Sequence, residues 1–130
     1  MKPDPARRKY KAYRFGLWAE WLCACVLMCK GYRVLALRHS TPLGEIDLVA
    51  RRGHTLAIVE VKGRCRVEDA LAAVDFIKQR RLVRAAEAVL ANGKFAGLAR
   101  SPDLTIRFDV MAVLPWRLPV HVAGAWRPET

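Results

Sequence analysis

A chain of 130 residues, 53% apolar and 27% charged, is long enough to bury one core and too apolar to stay disordered. Its 23 Lys and Arg against 12 Asp and Glu leave a net charge of +11. That points to a polyanionic partner, nucleic acid before an anionic membrane, or to solubility by net charge alone.

Arg outnumbers Lys by 16 to 7, and the guanidinium is the better bidentate partner for phosphate. Residues 2 to 14 hold six basic groups and one acid, so residues 1–15 read as a basic N-terminal arm or first helical turn. Residues 16–130 show no linker, repeat or low-complexity tract and read as one domain. From about Tyr10 to Lys30, the positions Tyr13, Leu17, Trp18, Trp21, Leu22, Cys25 and Met28 recur at helical spacing and form the expected core face. Gly31 stands where a helix ends. The stretch WLCACVLMC within it is nine residues long, whereas a membrane span needs about 20. It also lacks a small-residue cleavage site, so the expectation is a core helix in a cytoplasmic protein that does not enter a membrane. Cys23, Cys25, Cys29 and Cys65 match no zinc spacing. They read as free thiols, buried in the helix where they cluster, in a reducing compartment.

YRVLALR (32–38) alternates and predicts a strand, and HSTPL a loop. The runs GEIDLVA and LAIVEVK then form a hairpin turning near Arg52-Gly53. The basic loop GRCRVED leads into one helix of about Ala70 to Ala91, stopped by Asn92-Gly93. LTIRFDVMAVLP (104–115) predicts a strong strand, and LPVHVAGAW a weaker one. The helix before the fourth strand is long enough for a parallel crossover. The fold class is therefore α/β, a mixed sheet with flanking helices.

The hairpin raises a chemical question, because core-facing strands rarely carry charge. With the turn at Arg52-Gly53, Asp47 lies opposite Ile58 and Glu45 opposite Glu60. Ile46, Leu48 and Ala50 then share an apolar face with Ala57, Val59 and Val61. The other face carries Glu45, Asp47, Glu60 and Lys62. Asp47 and Glu60 are diagonal neighbours at about 7–8 Å, within reach of one divalent cation. Mg²⁺ suits a site of few oxygen ligands. Lys62 could orient a water and offset charge on a phosphoryl oxygen. Glu20, midway along the first helix, is a candidate fourth member that no spacing argument places there. The same residues also allow a cross-strand ion pair between Asp47 and Lys62 on a solvated face. Three crowded carboxylates weigh against that account, since like charges set opposite one another are destabilising.

Gly16, Ala19 and Glu20, then Gly31-Tyr32, GEIDLVA, VEVKGR, Lys78 with Arg81-Leu82, RFDVMAV and HVAGAW resemble the YraN-type family of small bacterial proteins. That family is similar to the restriction-endonuclease-like superfamily, especially the archaeal Holliday-junction resolvases. The resemblance implies a restriction-endonuclease-like αβββαβ core. It makes Asp47 and Glu60 metal ligands and Lys62 the catalytic lysine. Glu20 and the carbonyl of Val61 complete the metal site, which would take Mg²⁺ or Mn²⁺. The implied activity is a metal-dependent nuclease on DNA, favoured over RNA and branched or structured. A homodimer is left open, because resolvases cut two strands symmetrically.

Lys78, Arg80, Arg81 and Arg84 around the second helix, with Arg64 and Arg66 before it, could grip phosphates. They could equally form a solvated helix face. Gln79 is a further candidate for the site. Trp116 and Trp126 suit packing, a dimer contact or base stacking. His54 and His121 have no partner at metal-ligand spacing, and Asp109 is expected to pair with a nearby Arg in a structural role. The alternative function is a non-catalytic nucleic-acid-binding module on a nuclease-like scaffold.

Overall fold

The computed structural model describes residues 5–91 and 93–128. Helix α1 (Pro5–Cys29) precedes strands β1 (Arg33–Thr41), β2 (Gly44–Arg52) and β3 (Thr55–Gly63). Helices α2 (Val67–Ala72) and α3 (Phe76–Ala91), then a 3-10 segment (Gly93–Arg100), lead to β4 (Thr105–Val113) and β5 (Val120–Trp126). The five strands form one sheet in the order β1-β2-β3-β4-β5, with β3 and β4 parallel and the other pairs antiparallel. The expected mixed α/β architecture is present, with β5 as an added edge. Residues 1–4 of the basic arm and the helix-stop residue Asn92 lie outside the described residues. Among the described residues, no helix is long and apolar enough to cross a membrane.

The two faces of the sheet bury different helices. Ala19, Cys23, Ala24 and Leu27 of α1 pack on Leu48, Ala50, Ala57, Val59 and Met111. Leu82, Ala85, Ala86 and Val89 of α3 pack on Val49, Leu56, Ile58 and Val110. The α1 face differs from the sequence expectation. Leu17, Trp18, Trp21 and Met28 are exposed, and the buried positions are mostly small residues. Small side chains let the helix approach the sheet closely, and packing selected them over the larger apolar ring positions. Only Cys23 is fully buried; Cys25 is half-buried, Cys29 and Cys65 are exposed, and all four thiols are free. Gly31, at φ 90°, closes α1: the Tyr32 N–H reaches the Leu27 carbonyl and the Gly31 N–H the Met28 carbonyl, each at 3.0 Å.

Three boundaries also shift. β1 runs on through Thr41, so most of HSTPL is strand and only its end turns. The helix expected from Ala70 to Ala91 is two helices, because Asp75 caps a new start: its carboxylate accepts the Lys78 N–H at 2.9 Å. The hairpin turns at Gly53-His54, with Arg52 paired to Thr55. Gly53 takes φ 60°, a conformation that costs glycine little and would strain Arg52. This two-residue change keeps the regularly paired side chains, Leu48 to Arg52 and Thr55 to Val59, on their expected faces, as a period of two requires. It also sets Asp47 and Glu60 one step beyond the last regular pair, Leu48↔Val59, instead of diagonal.

Ile46 is the exception to the expected faces. It packs with Val49 and Ile58 on the α3 side, while Leu48 stays on the α1 side. Alternation therefore breaks at Asp47. On β1, Arg38 lies between Leu37 and His39, which pair with Leu48 and Ile46, and is held at φ 48°.

Candidate functional site

Regular pairing of β2 with β3 runs from Arg52↔Thr55 to Leu48↔Val59. At the next step the Asp47 carboxylate replaces the backbone, and its Oδ2 accepts the Val61 N–H at 2.9 Å. The break in alternation is what turns this side chain into the strand edge. Glu60, on the α3 side of β3, is 4% exposed. Its Oε1 lies 2.8 Å from the Lys78 ammonium and 3.4 Å from the Lys62 ammonium. From the other layer α1 brings Glu20, 8% exposed, whose Oε2 accepts from Arg38 Nε at 2.5 Å. Gly16, one turn earlier on α1, leaves room for this guanidinium: a Cβ there would lie 3.0 Å from Arg38 Nη2.

Three acids from three elements thus meet three cations. Their ionisation reflects the crowding. Burial, then the Glu60 charge, pushes the half-buried Asp47 carboxyl up to about 7 against the pull of the Val61 N–H. Burial likewise raises Glu20, opposed by Arg38, with the charges of Glu45 and Glu60 adding to the rise. Burial and then Lys78 hold Lys62 below the ordinary lysine range, against the pull of Glu60. Burial draws Lys78 down, but its bonds to Glu60 and Lys62 and the charges of Glu60 and Asp47 together outweigh this and carry it up. The Cys23 thiol, behind the acids, is pushed up to about 12 by burial and by the Glu20 and Asp47 charges.

The cross-strand pair of Asp47 with Lys62 does not form, because Lys62 turns to Glu60. Asp47, Glu60, Lys62 and Glu20 do come together, from β2, β3 and α1. Lys78 comes with them. Its place in a basic run reads as phosphate contact, and only the crossover from β3 into α3 sets it over Glu60. Gln79 does not join the site: its amide donates to the Val74 carbonyl at 2.9 Å and steadies the start of α3.

The other cations lie around this centre. Arg81 packs its stem near Gly44 at the β1–β2 turn, where a Cβ would come within 3.6 Å of it. With Arg80 and Arg84 it lines a cleft of about 330 Å³ beside Leu43 and Ile77. Arg64 follows directly after β3, its guanidinium donating to the Gly63 carbonyl, and Arg66 forms an exposed pair with Glu68 at 3.4 Å.

Asp109 behaves as its sequence context suggested, and more. It is fully buried, bonded twice by Arg107 at 2.8 Å, by His121 Nε2 at 2.8 Å and by the Gly124 N–H at 2.9 Å. His121 therefore belongs to a structural network that ties β5 to β4. Trp126 stacks on Phe108 with ring centroids 5.3 Å apart and is a packing residue. Trp116 stands fully exposed.

The acids offer oxygen ligands only, the donor type that hard divalent cations select. Their mutual repulsion and the raised Asp47 carboxyl are what a bound cation would relieve. In donor type and charge the residues fit such an ion. Among the described residues, no three Asp, Glu, His or Cys side chains converge as a ready-made cation site. The fit therefore requires Lys78 to give way at Glu60.

Element order, a mixed sheet between helices, and an acid on β2 facing Glu60-Val61-Lys62 on β3 define an α/β domain with a nuclease-like core. A family model described as "Uncharacterised protein family UPF0102" matches residues 19–113, and the chain belongs to this family. It is 47% identical over 126 residues to a UPF0102 protein of Mesorhizobium japonicum, covering 97% of each chain. It is 51% identical over 129 residues to one from Chelativorans sp., covering 97% of this chain and 98% of the relative. A relative in Parvibaculum lavamentivorans is 52% identical over 117 residues, covering 90% of this chain and 84% of its own.

Proposed function

We propose that this protein is a metal-dependent phosphodiesterase that cleaves DNA, with branched or otherwise structured DNA as its substrate. The observation that carries this reading is the gathering of Asp47, which accepts the Val61 N–H, with Glu60, whose charge it feels, and Lys62, 3.4 Å from Glu60. Asp47 and Glu60 would hold Mg²⁺ or Mn²⁺, joined by Glu20 and the Val61 carbonyl. Such an ion, when bound, supplies Lewis-acid polarisation and activation of water for phosphoryl chemistry. Lys62 offsets charge that builds on the phosphoryl oxygens. Arg38 holds the Glu20 carboxylate in position from behind. Arg64, Arg66, Arg80, Arg81 and Arg84 supply phosphate contacts that set the duplex over the site, and a homodimer would present two such sites to two strands.

The test is cleavage of a four-way DNA junction with Mg²⁺ or Mn²⁺, comparing wild type with Asp47→Ala, Glu60→Ala and Lys62→Ala. Each variant should lose roughly 100-fold or more in rate while keeping its fold. Cutting by Asp47→Ala or Glu60→Ala at the wild-type rate would refute the assignment.

A second reading is favoured by one observation: Glu60 already has Lys78 and Lys62, and Glu20 already has Arg38. Two of the three acids are thus balanced without a metal, as in a module that binds nucleic acid and does not cut it. Metal-independent binding with no cleavage of any DNA structure would select this reading.

A further inference from the structure

Beside the acid cluster, between α1 and the link from β4 to β5, runs an apolar groove of about 650 Å³. Its walls are aromatic. Phe15 and Trp18 of α1 stand 52% and 54% exposed, with ring centroids 6.4 Å apart and planes inclined at 37°. Trp116 opposes them and is fully exposed. Large aromatics left in water beside one another mark a surface that binds something.

The conformation of Trp116 supports the same view. Its φ is 62°, a region that bulky side chains rarely occupy and that costs about 1–3 kcal/mol. A glycine would hold this turn without strain, and a tryptophan there gains no burial in return. Gly63 contributes from the floor: a Cβ at this position would come 3.2 Å from the Phe15 ring and push it outward by a few tenths of an ångström.

The electrostatics select the occupant. Arg64 and Arg117 line the groove, and among the described residues no acid does. Aromatic faces interleaved with guanidinium groups match a chain of unpaired bases on a phosphate backbone, since every base has a π-face and every link a negative charge. An apolar peptide would use the rings and leave the arginines without a purpose. Two groove residues, Gly63 and Arg64, follow Lys62 of the candidate site directly along the chain.

We infer that this groove is a single-strand binding site in which Trp18, Trp116 and Phe15 stack unpaired bases of a DNA substrate. The inference rests on the nucleic-acid reading above and narrows its substrate to DNA in which duplex meets single strand. Duplex lies over the α3 arginines, and the unpaired strand passes beside Lys62 into the groove.

The experiment measures affinity by fluorescence anisotropy for two DNAs, a blunt duplex and the same duplex with a single-stranded overhang. The full chain is compared with Trp116→Ala and with Trp18→Ala/Trp116→Ala, at one salt concentration. Both tryptophans are exposed, and circular dichroism verifies that the variants fold. Wild type should prefer the overhang DNA, and the double variant should lose about ten-fold or more of that preference, the scale of one or two stacked bases. 2-Aminopurine in the overhang should be quenched by wild type and not by the double variant.

Equal affinity for the two DNAs, or a preference that survives in the double variant, overturns the groove assignment and leaves the nuclease reading standing. Binding of neither DNA overturns both. Dimerisation in sedimentation that Trp116→Ala abolishes, with no overhang preference, would make the groove a contact between two copies and overturn it as well.

Discussion

Glu60 of β3 and Lys78 of α3 meet at 2.8 Å, and this contact spans two elements separated by the whole crossover loop and α2. Lys78 occupies the coordination side of a carboxylate that the proposed cation needs. Removing it by Lys78→Gln should therefore tighten Mg²⁺ and Mn²⁺ binding several-fold in isothermal titration. Stability should fall by only about 1 kcal/mol, because Lys62 still faces Glu60 and Lys78 is partly exposed. Weaker metal binding in Lys78→Gln would mean that the lysine supports the ion and does not compete with it.

Asp47 makes stability depend on pH in an uncommon direction. Its carboxyl is raised to about 7 in the folded chain from an ordinary value of 3.8, so the folded state holds its proton more tightly than the unfolded state does. The folded protein should lose stability as pH rises from about 4 to about 7. Asp47→Asn should remove most of that slope, leaving the part due to Glu20, and stabilise the protein by about 1–2 kcal/mol at pH 8 when no divalent ion is present, after allowance for solvent screening. Urea denaturation at pH 5 and pH 8 checks this. An unchanged slope in Asp47→Asn would remove Asp47 as its source.

The same proton competes with a cation. Affinity for Mg²⁺ should therefore fall below pH 7 in wild type and be absent or flat with pH in Asp47→Asn. Calorimetry across pH 6 to 8 gives the answer, and metal binding independent of pH would place the ion elsewhere.

Asp109 has the opposite sign. Burial pushes its carboxyl up, but hydrogen bonds from His121, Arg107 and the Gly124 N–H outweigh burial and hold it at about 2. Its contribution to stability is present above about pH 4 and is lost as pH falls through 2. Asp109→Asn leaves Arg107 without its charge partner in a buried network and should cost about 3–5 kcal/mol. A drop below 1 kcal/mol in thermal or urea unfolding would show that β5 is held by its apolar contacts instead.

The arginines of α3 should reveal themselves through salt. If Arg80, Arg81 and Arg84 each neutralise one phosphate, the triple alanine variant should flatten the slope of log K against log salt by about 2–3 for duplex DNA. An unchanged slope would reduce them to a solvated face.

Much of this protein follows from sequence period alone. The strands of the central hairpin repeat every two residues, so their apolar and charged faces separate even when the turn is misplaced by a residue. Asp47, Glu60 and Lys62 could be grouped for that reason. Net charge and the helix stop at Gly31 are equally local properties. The order helix, three strands, helix, strand needed only lengths and turn residues.

Other features depended on contacts between distant segments. The buried face of α1 could not be read from its largest apolar residues, because close approach to the sheet favours Ala19, Cys23 and Ala24 and leaves Trp18 and Trp21 in water. Glu20 lies on that face, and only the packing of α1 against β1 brings it to Arg38. Lys78 joins Glu60 because β3 and α3 are adjacent in space, which no spacing in the chain encodes. The turn of Asp47 into the strand edge goes with Ile46 and Leu48 packing under different helices. Periodicity determines which side chains share a face, and tertiary packing decides which faces meet.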